Sequence, residues 1–97
     1  MTQDYAEAVR WYRKAADQGY GLAQCSLGRM YDRGRGVAQD YAKAALWYRK
    51  AANQGQGDAQ LFLGMAYEQG QGVMQDYAEA VRWYRKAADH GDVRRCR

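Results

Sequence analysis

Few side chains in this sequence are equipped for chemistry, and those few are scattered. The 97 residues include one Ser (Ser26), one Thr (Thr2), one His (His90), one Asn (Asn53) and two Cys (Cys25 and Cys96). A nucleophile–base pair would have to join Ser26 to His90, in distant parts of the chain. One His and two Cys do not complete a tetrahedral zinc set. No metal, no cofactor and no catalytic residue is therefore expected. Thiol chemistry is the remaining route, so a small catalytic or thiol-dependent ligand-binding protein is the alternative reading, and it requires Cys25 or Cys96 to be reactive. The two lie 71 positions apart, too few and too distant to read as a disulfide framework. Cys25 is expected as a small apolar core filler and Cys96 as a thiol in a loose tail.

Phosphate and nucleic-acid chemistry fare no better. Gly-x-Gly pairs occur four times, but none follows a strand-like run and none extends to Gly-x-Gly-x-x-Gly. The net charge of +4 is local: Arg94, Arg95 and Arg97 supply three of the four, and elsewhere Arg and Lys alternate with Glu and Asp. Without a continuous basic stripe, nucleic-acid binding is only a distant third reading. No run approaches the roughly 18 apolar residues of a membrane span, and Met1-Thr2-Gln3-Asp4 does not open a signal peptide. A complete chain of this kind is expected in the cytoplasm; for a fragment of a longer secreted array the compartment stays open.

The elements that could position a site are set by internal repetition. Gln3 to Asp17 recurs unchanged at Gln75 to Asp89, with a close variant at Gln39 to Asn53. Trp11, Trp47 and Trp83 mark a 36-residue period, and 22 of 36 positions agree when 3–38 is laid on 39–74. The chain reads as one array over 1–97: units 3–38 and 39–74, a partial unit 75–91 and a tail 92–97. Seventeen Ala with no Ile and no Pro favour helices throughout.

Each unit reads as two helices. In the first, helix B covers Gln3 to Gln18, with Tyr5, Ala8, Val9, Tyr12, Ala15 and Ala16 in one arc and Glu7, Arg10, Lys14 and Asp17 opposite. Helix A runs from about Leu22 to Arg33 on an inner stripe of Ala23, Leu27, Met30 and Tyr31; its counterpart uses Ala59, Leu63, Ala66 and Tyr67. Gly28 and Gly64 sit inside these helices, where Gly costs about 1 kcal/mol against Ala, so a neighbouring helix is expected to cross closely there. One aromatic set per repeat, Trp11-Tyr12, Trp47-Tyr48 and Trp83-Tyr84, points to packing between repeats rather than to stacking on a ligand. His90 takes the slot of Gln18 and Gln54 and is expected to cap a helix end.

The run Ala23-x-x-x-Leu27-Gly28-x-x-Tyr31-x-x-Gly34-x-Gly36-Val37-x-x-Asp40-x-x-x-Ala44-x-x-Trp47-Tyr48-x-x-Ala51-Ala52-x-x-Gly55 resembles the Sel1-like repeat, a relative of the tetratricopeptide repeat. The resemblance extends over residues 3–91, through Leu63-Gly64, Tyr67, Gly70-Gln71-Gly72-Val73, Asp76 and Trp83-Tyr84. It implies an all-α solenoid, a right-handed superhelix of about 2.7 repeats with five helices in B-A-B-A-B order, and an adaptor or scaffold role without enzymatic activity. Some secreted relatives carry a disulfide in each repeat at positions equivalent to Ala16 and Gln24. Neither is Cys here, nor are Ala52 and Gln60, so enzymatic activity attributed to cysteine-rich members is not carried over.

Comparison of unit with unit marks a binding surface. The framework repeats while helix-A positions change: Cys25/Leu61, Ser26/Phe62, Arg29/Met65, Asp32/Glu68 and Arg33/Gln69. The resemblance puts A helices on the concave side, so Arg29, Arg33, Leu61, Phe62, Met65 and Gln69 are the candidate contacts for a protein or peptide partner. The first and last helices are both B and lack an A neighbour on one side. Their uncapped apolar faces predict self-association, in the form of a homodimer.

Overall fold

A computed structural model of the chain describes residues 4–90, with the backbone alone at His90, and residues 94–96. Positions 92, 93 and 97 of the expected tail, and the expected capping side chain of His90, lie outside the described residues. Five helices account for the fold: α1 (Tyr5–Asp17), α2 (Gly21–Arg33), α3 (Tyr41–Asn53), α4 (Gly57–Gln69) and α5 (Tyr77–His90). No strand occurs among the described residues. The expected B-A-B-A-B order is observed, with α2 and α4 as the A helices.

Local chemistry sets the ends. Asp4, Asp40 and Asp76 precede the three B helices, and each accepts a hydrogen bond at Oδ1 from the backbone N–H three residues on, at 3.0, 3.1 and 3.1 Å. Asp4 and Asp40 are themselves extended, so the B helices begin one residue later, at the Tyr. The A helices stop at Gly34 and Gly70, both at φ 66°, a left-handed conformation that Gly adopts without a Cβ penalty.

The helices pack in series, each chiefly against its sequence neighbours, into a body of 40 × 24 × 24 Å. The broadest contacts join α2 to α3 and α4 to α5. The two helix-interior glycines explain how: a Cβ on Gly28 would lie 2.7 Å from the Tyr48 ring, and one on Gly64 would lie 2.8 Å from the Tyr84 ring. Backbone and aromatic ring therefore meet directly, as the Gly spacing predicted. Leu27, Leu63 and Cys25 are fully buried, with Tyr31 and Tyr48 in the same core. Tyr12, Trp47 and Tyr67 pack half-buried against it.

Two findings depart from the regular array. Trp11 on α1 is 61% exposed, whereas Trp83 on α5 is 3% exposed and belongs to the same buried cluster as Cys96. The second overturns the expectation for the cysteines: Cys25 and Cys96 form a disulfide, with their Cα atoms 5.7 Å apart. Cys25 fills the core as expected, but Cys96 is buried and covalently tied. Short stacked units keep distant stretches of chain adjacent in space, so the 71-residue separation carried no information about their distance.

Candidate partner-binding surface

The six residues picked out by unit-to-unit variation do not form one patch. Phe62, Met65 and Gln69 on α4 line a narrow groove of about 50 Å³, walled by Tyr41, Ala44 and Tyr48 of α3. Arg29 and Arg33 on α2 line a second hollow of about 170 Å³ with Met30 and Arg35. The two are joined by one contact, the Arg29 guanidinium 5.2 Å above the Phe62 ring. Phe62 in turn lies 5.2 Å from the Tyr48 ring, which holds it against α3. Leu61 is 43% exposed and lines neither hollow.

A third and larger groove, of about 420 Å³, was not anticipated. Trp11, Tyr12 and Ala15 of α1 form one side, Leu22, Ala23 and Ser26 of α2 the other, and Arg95 and Cys96 close an end. Residues 94–96 thus border it while crossing from α4 to α2. Polar contacts to their main chain, besides the disulfide, help to hold them there. Gln56 Nε2 donates to the Arg94 carbonyl at 2.7 Å, the Cys96 N–H donates to Asp58 Oδ2 at 2.9 Å, and Arg29 Nη1 donates to the Cys96 carbonyl at 3.4 Å.

Gln56 serves twice, since its Oε1 also accepts the Ala59 N–H at 2.8 Å and so caps α4. Sequence reasoning missed Gln56, Asp58 and the role of Cys96. A signal was present: in register, Gln56 and Asp58 replace Tyr20 and Leu22 of the preceding unit.

Conserved chemistry between units is structural. Tyr48 donates to Asp32 Oδ2 at 3.0 Å and Tyr84 to Glu68 Oε1 at 2.6 Å. Burial, and then the neighbouring carboxylate, pushes the Tyr48 phenol far above its usual range and the Tyr84 phenol up to about 12. Both hydroxyls are held as neutral donors and do not ionise near neutral pH. Arg13 and Arg49 similarly donate to the Tyr31 and Tyr67 hydroxyls. Among the described residues no cluster of His, Cys, Asp and Glu could hold a metal, and no helix is long and apolar enough to cross a membrane. The disulfide leaves neither cysteine as a free thiol.

Serial antiparallel helices, glycine-mediated crossings and a period of 36 residues define an α/α solenoid repeat. The Sel1 repeat family matches residues 1–20, 21–56 and 57–92, and the chain belongs to that family. Its phase pairs α2 with α3 and α4 with α5, the two broadest contacts.

Three solved structures place it among relatives. A protective antigen present in uropathogenic Escherichia coli strains is 50% identical with a TM-score of 0.90, over 94% of this chain and 20% of that one. A Sel1 repeat protein from Oxalobacter formigenes is 41% identical with a TM-score of 0.89, over 95% of this chain and 38% of that one. Cysteine rich protein B of Helicobacter pylori is 32% identical with a TM-score of 0.83, over 88% and 64%. The chain therefore spans well under half the length of the first two. No curated protein matches it. Sel1 repeats are commonly protein–protein interaction modules.

Proposed function

We propose that the chain is a non-enzymatic interaction module that takes a protein or peptide partner on the surface formed by α2 and α4. The observation that carries this reading is the apolar side of α4: Leu61 and Met65 are 43% and 39% exposed beside half-buried Phe62, on a helix whose other face is fully packed. Exposed apolar side chains grouped on one element of a soluble surface mark a contact site. Arg29 adds a cation at the edge of the same patch. Quantitative affinity capture with Met65→Ala and Phe62→Ala tests the reading, against Lys43→Ala on α3 as the control. Partners that wild type and K43A both retain, and that M65A loses at least roughly fivefold, support it. Equal recovery by all variants overturns it.

Self-association through the terminal helices is part of the same proposal. Trp11 on α1 and Tyr77 and Val81 on α5 are 61%, 65% and 51% exposed and offer the apolar area for it.

A further inference from the structure

Besides the disulfide, the main chain of residues 94–96 is held across the A helices by side chains of α2 and α4 and by the cap residue of α4. Gln56 and Arg29 donate to the carbonyl oxygens of Arg94 and Cys96, and Asp58 accepts the Cys96 amide. Such contacts recognise an extended backbone rather than a particular side chain. The elements that supply them are fixed in advance. Gln56 is 3% exposed and pinned by its cap on α4, and Arg29 rests on the Phe62 ring.

The unit-to-unit differences converge on the same place. Where the array otherwise repeats, Gln56, Asp58, Cys25 and Arg29 stand against Tyr20, Leu22, Leu61 and Met65 in register. Neither unit therefore carries the whole donor–acceptor set: the first supplies Arg29 and the second Gln56 and Asp58, and they meet only at the seat of residues 94–96. Two independent features thus coincide, a covalent tie and a backbone-reading cradle.

We propose that residues 94–96 are a redox latch on this cradle. Oxidised, the Cys25–Cys96 bridge keeps the segment seated; reduced, the segment leaves and Arg29, Gln56 and Asp58 take the main chain of an extended partner peptide. The inference rests on the interaction reading and specifies the partner's form and its gate. The exchange needs a dithiol reductant. Its thiolate attacks a bridge sulfur and forms a mixed disulfide, which its second thiol resolves; Cys25 and Cys96 emerge as thiols, and the dithiol leaves as a cyclic disulfide after supplying two electrons and two protons. Cys25 is fully buried and Cys96, 4% exposed, borders the 420 Å³ groove, so the proposed attack is on the Cys96 sulfur from that side.

Once the bridge is open, the hydrogen bonds from Gln56, Arg29 and Asp58 compete with the conformational entropy the segment regains. Each is worth on the order of 1 kcal/mol and each ordered residue costs a similar amount, so seated and released forms become comparable in population and a peptide at roughly millimolar concentration competes for the cradle.

Hydrogen exchange on the full chain tests the latch without any partner. The amide at position 96 is expected to be protected in the oxidised protein and to exchange at least roughly tenfold faster after treatment with dithiothreitol. The Cys25→Ser/Cys96→Ser variant should match the reduced state without reductant. Equal protection in all three overturns the latch.

The cradle is tested separately, with a fluorescein-labelled peptide of residues 92–97 carrying Ser in place of Cys96. It is expected to bind the reduced protein and the double-Ser variant, not the oxidised protein, and to lose roughly tenfold affinity with Asp58→Asn or Arg29→Ala. Binding that is equal in oxidised and reduced protein, or absent from the opened protein, overturns the backbone-reading cradle. Failure of these tests with retained Met65-dependent capture leaves the broader interaction reading standing.

Discussion

Tyr48 and Tyr84 tie their B helices to the last turn of the preceding A helix by donating to Asp32 and Glu68, and each can do so only as a neutral phenol. In the unfolded chain a tyrosine ionises near pH 10. Folded, Tyr84 ionises only near 12 and Tyr48 later still. The folded state therefore binds more protons above pH 10, and the stability these bonds contribute is present below that value and lost as pH rises toward 12. Urea midpoints should fall between about pH 10 and about pH 11.5, and Tyr84→Phe should start about 1 kcal/mol lower at neutral pH but fall less steeply. An unchanged slope in Y84F would remove Glu68–Tyr84 from the explanation. At this scale the sequence was only partly legible. The Tyr repeated in each unit announced packing between repeats but not its bond to Asp32 or Glu68, read as changing surface positions, and Cys96 falls in the slot of Gln24 and Gln60 with Ala88, not Cys, where a within-repeat partner would stand. Nothing in that register pointed to Cys25.

Helix crossings come next, and the two glycine contacts are not equivalent. Ala at Gly28 or Gly64 gains about 1 kcal/mol of intrinsic helix propensity. Against that, the new methyl meets a tyrosine ring at 2.7 or 2.8 Å. The Tyr48 ring is 3% exposed, pressed by Phe62 and tied to Asp32, so it has nowhere to move. Tyr84 is only half-buried and can swing. Gly28→Ala should therefore destabilise by about 1–3 kcal/mol in urea unfolding, and Gly64→Ala by clearly less. The reverse order would show that ring mobility does not decide the cost. The five helices and these crossings were readable because the apolar positions repeat at helical spacing and Gly interrupts them at fixed points. The division of the expected surface into separate grooves was not, because it depends on how far each unit rotates on the last.

The molecule as a whole is unequal at its ends. Trp11 stands in the open beside a 420 Å³ groove, while its counterpart Trp83 is covered. The proposed self-association has its surface at α1, where Trp11 is 61% exposed. Multi-angle light scattering should report a dimer that Trp11→Lys converts to monomer; a wild-type monomer at micromolar concentration contradicts it. The compartment is not set by these features, although a stable bridge calls for oxidising surroundings and an opened one for reducing surroundings.

The Cys25–Cys96 bond also changes what happens when the two ends are pulled apart. A solenoid held by neighbour-to-neighbour contacts behaves like a spring and yields one unit at a time. Here a covalent loop of 71 residues shunts the load past most of the array. Tension passes from α1 into α2 and leaves through position 96, so α3, α4 and α5 carry none of it. Cutting the bond restores about 240 Å of extensible length, at roughly 3.4 Å for each of the 71 residues. The same two sulfurs thus decide whether this protein is a short stiff link or a long compliant one.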